Sequence, residues 1–467
     1  MKYVRKLTLA LIPLFLAGLM VSLRAEGNYG PPGAAEDNAQ VDIVITVGGE
    51  GLLKTAIGIP ALYPLKGVKD GGVMGVEAAR ILTSDLDFSS YFSMVSVPDL
   101  PPPPASGYSE TTLNLEPYAS RGAELIIAGS YTVDVEDNYT FDFSLIDVSL
   151  KARLGRVTYT GKKAAFRRLM HRYADEVLRL VTGERGPFET QIVFAGEQTG
   201  NREIYICDSD GENLIQITHN KSANMTPALS PDVTQIVYTS YVLGNPDLYI
   251  LPVSGGKPRR LFGGKGLNYC PDWSAANNRI AFASSNNPHQ NTEIYTINPD
   301  GSDLRQVTHE QWSINVSPSW SPDGKYIAFV SSRYGDKPQV LVTPANGGTA
   351  LRISRSGGYN TDPTWSPIGW SEQEYLVAYS GRASGGLDIL AVRLDKSLQP
   401  LQTIDVASGG GADEAPSFSP DGRFVVYSHG TQNNYDLYMT SLRQFKPRKI
   451  THMPGRETAP DWSQWLK

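Results

Sequence analysis

A multidomain chain, with a small α/β amino-terminal domain ahead of a six-bladed all-β propeller, is predicted by three features. One phrase recurs six times, short strands follow each copy but the last, and a helix-and-strand pattern is confined to the first 185 residues. The phrase reads Thr-Pro-Ala-Leu-Ser-Pro-Asp at Pro227, Cys-Pro-Asp-Trp-Ser at Pro271 and Ser-Pro-Ser-Trp-Ser-Pro-Asp-Gly at Pro318. It returns as Asp-Pro-Thr-Trp-Ser-Pro at Pro363, Ala-Pro-Ser-Phe-Ser-Pro-Asp-Gly at Pro416 and Ala-Pro-Asp-Trp-Ser at Pro460. The prolines stand 44, 47, 45, 53 and 44 residues apart. Such a period belongs to four-stranded units that cannot bury their faces alone and stack around a channel.

Residues 318 to 353 give one unit in full. Pro318 to Ser321 is read as an inner strand and Pro322-Asp323-Gly324 as a tight turn, followed by strands Tyr326 to Ser331, Gln339 to Thr343 and Ala350 to Ile353. Each is short, rich in β-branched and aromatic residues, and bounded by Gly, Pro, Asn or Asp. The third strand has its own signature, an acidic residue, an aliphatic and then Tyr, at Glu203, Asp247, Glu293 and Asp436, with departures at Gln339 and Asp388.

The first set of outer strands, near Gln191, has no inner strand before it, and the last inner strand, at Pro460, has no outer set after it. The two halves therefore complete one blade, which joins the chain ends and removes an exposed sheet edge. The propeller is placed at residues 186–467.

Residues 41–185 are read as the α/β domain. Its predicted elements are strands at Val41 to Val47, Ala56 to Pro60, Leu125 to Gly129, Thr140 to Ile146 and Gly155 to Tyr159, a helix from about Val73 to Asp85, and a helix over Lys163 to Thr182. In the last, Phe166, Leu169, Met170, Tyr173, Val177, Leu180 and Val181 recur at three- and four-residue spacing before Gly183. Pro101 to Pro104 is read as an exposed loop. Residues 26–40 are polar and Gly/Pro-rich, without the means to build a core, and are expected to be disordered.

Lys2, Arg5 and Lys6 precede an apolar run from Leu7 to Leu23, and residues 1–25 are read as a secretory signal ending at Ala25. The competing reading is an uncleaved anchor, because the run approaches the roughly 20 residues of a spanning helix. Residues 1–25 hold four basic and no acidic residues, so their removal moves the net charge from −6 to −10. An acidic exported domain is a poor nucleic-acid binder. Cys207 and Cys270 fall in different blades and are expected not to pair, lying beyond the roughly 7 Å that a disulfide spans.

The features together, in this order, resemble the TolB family, propeller proteins of the Tol-Pal system in the Gram-negative envelope. Beyond the blades, the residues that carry the likeness are Ala123-Glu-Leu-Ile-Ile-Ala-Gly-Ser, Phe143-Ser-Leu-Ile-Asp147, and Tyr173-Ala-Asp-Glu-Val177 leading to Leu180-Val-Thr-Gly-Glu-Arg-Gly186. The resemblance implies a non-catalytic periplasmic protein, monomeric and without a cofactor, nucleic-acid partner or small-molecule substrate. It would bind the Pal lipoprotein through the propeller, be peripheral to the outer membrane through Pal, and contribute to outer-membrane integrity, protein transport and envelope constriction in cell division. It also implies a second partner, TolA, met by the mature amino-terminal segment; by position that is Val41, Asp42, Ile43, Val44, Ile45, Thr46 and Val47. In the family this segment starts the mature protein, whereas here it follows a 15-residue polar lead.

The tight turns after the inner and third strands share one face of the ring, and longer loops share the other. A polar residue stands three places before each repeat proline: Asn224, Asn268, Asn315, Asn360, then Asp413 and Glu457. Two readings are open, turn residues capping the entry to a strand or a polar ring at the channel mouth where a partner loop docks; the second assigns the six to Pal binding. His219, His309 and His452 share one blade position and are read as structural or exposed, since the repeat symmetry separates them. Asp272, Asp362, Glu414 and Asp461 stand beside the inner strands, where they either bond a neighbouring blade's backbone or hold a cation; the first reading is preferred, and no metal site is assigned.

Two rival functions remain. A peptidase would need Gly-x-Ser-x-Gly, and neither that nor His-Glu-x-x-His occurs, which leaves a propeller accessory to a peptidase. A glycan- or peptidoglycan-binding propeller is allowed by 24 Tyr and 7 Trp, although most of these aromatics fall at expected core positions.

Overall fold

The computed structural model describes residues 54–466 apart from 336, 356–357, 383–385, 432–433 and 443–445. The predicted signal (1–25), polar lead (26–40) and strand Val41 to Val47 lie outside the described residues.

The amino-terminal sheet has strands β1 (Thr55–Gly58), β2 (Tyr63–Pro64), β3 (Phe92–Val95), β4 (Leu125–Val133), β5 (Asn138–Asp147) and β6 (Ala152–Lys162), in the order β3-β1-β4-β5-β6 with β2 beside β4. β1 runs parallel to β3 and β4, whereas β4, β5 and β6 form an antiparallel meander. Alternation along β4 sends Ile127 to one face and Ile126 and Ala128 to the other. Helices α1 (Val73–Phe88) and α3 (Phe166–Thr182) cover the first face, where Leu82, Leu86, Met170, Tyr173 and Val177 meet Phe141 and Phe143. The second face is covered by Tyr108, Leu113 and Tyr118, the last on the short helix α2 (Glu116–Ala119).

The long helix follows the predicted spacing from Phe166, after a 3-10 turn at Lys163–Ala165, and ends at left-handed Gly183. The sequence reading missed β2, β3 and α2, which are two to four residues long and too short to show a period. The Pro101–Pro104 segment is a loop, three of its four prolines exposed.

Six four-stranded antiparallel sheets follow. Their inner strands are Asn224–Leu229, Asn268–Trp273, Asn315–Trp320, Asn360–Trp365 and Ala412–Phe418 for blades 1 to 5, and Glu457–Trp462 for the closing blade. In the closing blade that last strand pairs with Gln191–Gly196, Glu457 opposite Gly196 and Trp462 opposite Ile192, so the two chain ends complete one sheet. Gln191 N–H donates to Ser463 Oγ and Trp462 Nε1 to Thr190 Oγ1, which fastens the seam. Cys207 and Cys270 are free, one in the closing blade and one in the inner strand of blade 2.

The inner strands begin earlier than predicted, at Asn315 rather than Pro318 in the worked example. A proline donates no ladder hydrogen bond and suits a strand's first residue or a bulge. Here every repeat proline sits within a β-bulge, the register shifting between Met225 and Ala228 in blade 1 and likewise in each other blade. The preceding residue takes a positive φ in all six copies: Thr226 (46°), Cys270 (52°), Ser317 (50°), Asp362 (49°), Ala415 (52°) and Ala459 (52°). The bulge thus carries the strand through the proline and draws the residue three places earlier into the sheet.

The two domains meet on the tight-turn side of the ring, at the closing blade and blade 5. Phe88 stacks on Phe424 at 5.2 Å. Arg423 reaches Tyr91 and Glu184, and Arg448 reaches Ser84. Buried Asp175 of α3 accepts the N–H groups of Phe188 and Glu189, and Trp465 Nε1 donates to Gly186 O, so the linker is held from both sides.

Candidate functional site: the open face of the ring

The six polar residues expected at the channel mouth are all buried, five of them fully: Asn224, Asn268, Asn315, Asn360 and Glu457, with Asp413 nearly so. They do not form an exposed ring, and this corrects the docking reading. The four asparagines and Glu457 instead bond the blade before them through their side chains, and Asp413 does so through its backbone N–H to Leu387 O. Asn224 Nδ2 donates to Glu203 Oε2 at 2.8 Å, Asn268 to Asp247 Oδ1 at 3.2 Å, Asn315 to Glu293 Oε2 at 2.9 Å and Asn360 to Gln339 Oε1 at 3.0 Å. The backbone N–H of each of these asparagines also bonds the preceding blade, at Arg202, Pro246, Thr292 and Pro338 carbonyls.

The acceptors are the first residues of the third strands, so the acidic signature and the Asn of the next blade are two halves of one latch. Turn capping alone does not describe them either, since the bond crosses between blades. The glutamate also gathers the loop that lies between: Glu203 accepts from Thr218 Oγ1 and Lys221 N–H, and Glu293 from Thr308 Oγ1 and Glu310 N–H.

Blade 5 and the closing blade vary the chemistry. Asp413 Oδ1 lies 2.6 Å from His429 Nδ1, the position where Ser240 and Ser284 bond the asparagines of blades 1 and 2. Glu457 takes the N–H groups of Leu437 and Met453 and the hydroxyl of Thr451.

The channel carboxylates Asp272 and Asp461 bond neighbouring backbone, as the preferred reading held. Asp272 Oδ2 accepts Trp320 N–H at 2.6 Å and Asp461 Oδ2 accepts Leu229 N–H at 2.8 Å. Each residue keeps some exposure to the channel while its carboxyl is enclosed, and burial pushes Asp272 up to about 6 and Asp461 to about 7. Asp362 accepts from Ser317 Oγ at 3.4 Å, and burial raises Glu414, with Asp362 adding to the effect. Asp272, Asp362 and Asp461 with the X-Pro pairs line a narrow section of about 130 Å³, which widens toward the tight turns into a cavity of about 420 Å³ walled by Trp273, Trp320, Trp365 and Trp462. His219, His309 and His452 are exposed, one to a loop.

The tight-turn side is engaged by the amino-terminal domain, and among the described residues none of that domain covers the long-loop side. The long-loop side carries an arc of large apolar side chains over blades 1 to 4: Trp312 at 90% exposure, Leu243 at 66%, Ile314 at 54% and Tyr334 at 51%, with Tyr241 and Val242 in the loop of Leu243 and Leu267 and Tyr359 in two further loops of that side. Arg352 lies over the Tyr334 ring at 5.3 Å and Arg382 over Tyr359 at 5.9 Å, bracing the two tyrosines. An apolar arc of this kind on an open face marks an interaction surface. Sequence reasoning missed it, although Trp312 was a signal: a tryptophan inside the polar loop His309-Glu-Gln-Trp-Ser313 has no core to join. The other well-exposed tryptophan, Trp370, belongs to the opposite, tight-turn side.

Comparison with known proteins fits this geometry. The model of the TolB beta propeller domain matches residues 178–466, and that of the TolB amino-terminal domain matches residues 41–154. The chain belongs to the TolB family. It is 31% identical over 474 residues to a protein TolB homolog of Chlorobium luteolum, covering 99% of each chain. It is 28% identical to the Tol-Pal system protein TolB of Bordetella parapertussis, covering 84% of this chain and 85% of that one. The crystal structure of TolB from Acinetobacter baumannii shares the fold, with a TM-score of 0.73 and 22% identity over 88% of this chain and 97% of that one. Membership in the TolB family makes this chain a Tol-Pal component. Among the described residues no helix is long and apolar enough to cross a membrane.

Proposed function

We propose that the chain is a non-catalytic periplasmic protein that links two partners of the Tol-Pal system, the Pal lipoprotein and TolA, and so serves outer-membrane integrity and envelope constriction. Pal docks on the open long-loop face, and TolA meets the segment Val41 to Val47. The observation that carries the reading is the apolar arc around Trp312, on the side of the ring that the described residues of the amino-terminal domain leave free. A large aromatic at the centre of such a surface supplies much of the binding energy in protein interfaces. In this reading Asn224, Asn268, Asn315, Asn360, Asp413 and Glu457 act behind the surface, holding the loops in register without touching the partner.

The test is calorimetry of the mature chain with the soluble domain of Pal. Trp312→Ala is expected to weaken binding by about 2 kcal/mol or more, the scale of an interface anchor, with an unchanged melting temperature. Unchanged affinity in the combined Leu243→Ala, Trp312→Ala, Tyr334→Ala variant would remove the arc from the interface. Failure of the unaltered chain to bind Pal, with a glycan recovered from envelope extract instead, would favour the carbohydrate-binding rival.

A further inference from the structure

The contact between the domains contains a buried charge cluster that neither the blade architecture nor partner docking uses. Helix α1 contributes Glu77 and Asp85, α3 contributes Arg167 and His171, and the Asp210-Gly211 turn of the closing blade contributes Asp210. That turn is held tightly against blade 5. Gly211 has φ +88°, and a Cβ there would lie 1.8 Å from Ile450 O.

His171 is 1% exposed. Its Nδ1 lies 2.7 Å from Asp85 Oδ2, while Nε2 has no hydrogen-bond partner and stands 3.7 Å from Asp210 Oδ2. Arg167 pairs with Asp210 and also lies 3.5 Å from Glu77. Asp208 adds its charge from the third strand of the closing blade, whereas Glu189 of the linker, 2.8 Å from Arg168 of α3, is also paired with Arg172 and Arg185.

A neutral imidazole fits this setting poorly. If Nδ1–H donates to Asp85, the Nε2 lone pair points at a second carboxylate; only the imidazolium offers a proton to both sides. The donor atoms of Asp85, His171 and Asp210 lie within 4.8 Å of one another, close enough to share a metal ion. The Arg167 guanidinium already neutralises Asp210, however, so a further dication would have to displace it.

We propose that protonated His171 is a pH-gated clamp, bridging Asp85 of the amino-terminal domain to Asp210 of the propeller and slackening the domain contact when its proton leaves. Burial disfavours the charged ring, but Asp85, Asp210 and Asp208 outweigh it and raise His171 to about 9. A group whose folded value lies above its unfolded one, about 6.5 for histidine, contributes stability that is full below pH 6.5 and lost as pH rises through 9.

The experiment uses the full chain after export. The difference in melting temperature between the unaltered protein and His171→Gln is followed from pH 6 to pH 10, with hydrogen exchange of residues 208–213 and α1 corrected for the intrinsic rate. The gap is expected to be widest near pH 6 and to close above pH 9, with protection in both segments falling together. A gap that does not change with pH would reduce His171 to packing and overturn the clamp. Asp210→Asn, at a partly exposed turn, gives the same reading should the histidine variant fail to fold. An imidazole ¹⁵N titration of the unaltered chain must show a protonated ring at pH 7, and a neutral ring there overturns the proposal. So does a rise in melting temperature with zinc alone that His171→Gln abolishes.

Discussion

Asn315 Nδ2 lies 2.9 Å from the carboxylate of Glu293, across the seam between blades 3 and 2. The same carboxylate also holds Thr308 and Glu310, so one side chain ties a third strand, the loop after it and the next inner strand together. Repetition of this bond at Asn224, Asn268 and Asn360 makes the ring a chain of latches.

Replacing Asn315 with Ala leaves a buried carboxylate one partner short, which costs about 1–3 kcal/mol. The melting temperature is expected to fall while calorimetric affinity for Pal stays the same. Asn315→Asp sets two carboxylates face to face, so its loss should be larger at pH 7 than at pH 4. Stable variants with weakened Pal binding would return the six residues to the interface itself.

Deletion of residues 457 to 467 removes the inner strand of the closing blade and bares Gln191–Gly196 as an edge. It also removes Trp462, buried against Ile192, Phe194 and Met439. Each large core side chain contributes roughly 1.5–3 kcal/mol, a substantial share of a stability of about 5–15 kcal/mol. Thermal unfolding should therefore collapse. A truncated chain melting within a degree or two of the full one would contradict the shared blade.

Asp461 connects stability to pH. Burial raises its folded value to about 7, against an unfolded value of about 3.9. Its contribution is therefore full below pH 4 and lost as pH rises through 7, because the unfolded chain gives up the proton first. Asp461→Asn keeps an oxygen for Leu229 N–H and removes the titration. Denaturant midpoints for the variant should decline less between pH 4 and pH 8 than those of the unaltered chain. Parallel profiles would show that the carboxyl titrates alike in the folded and unfolded chain, without the upward shift.

The amino-terminal segment yields a prediction of its own. Val41, Ile43, Ile45 and Val47 alternate as strand addition to a partner's sheet edge requires. Deleting residues 26 to 40 should leave TolA binding intact, and deleting 26 to 47 should abolish it while Pal binding survives. TolA binding that persists in the longer deletion places the contact elsewhere.

The architecture was readable because it repeats. Six prolines at a propeller period, and an inner strand left over at one end, determine the blade number and the closure without reference to any contact, since an unpaired half-blade at each end has one simple remedy. Phe166 to Val181 likewise declares its buried face by spacing alone. The strands Phe92–Val95 and Tyr63–Pro64 were invisible because so few residues carry no period; their partners β1 and β4 decide them.

The sites divide differently. The sequence held both halves of each latch, the acid of the third strand and the Asn before the proline, but nothing in a linear chain says that residues about 21 positions apart, as Glu203 and Asn224 are, face each other across a seam. The positive φ before each proline, which draws that Asn inward, is a property of the bulge and appears only once the strands pair. The same holds for the open face. Its apolar arc joins loops spread from Tyr241 to Tyr359, and His171 meets Asp85 and Asp210 across 86 and 39 positions. Periodicity is a local property and was determined by the sequence itself. Burial and charge pairing depend on which distant segments are brought together, and only the tertiary structure decided those.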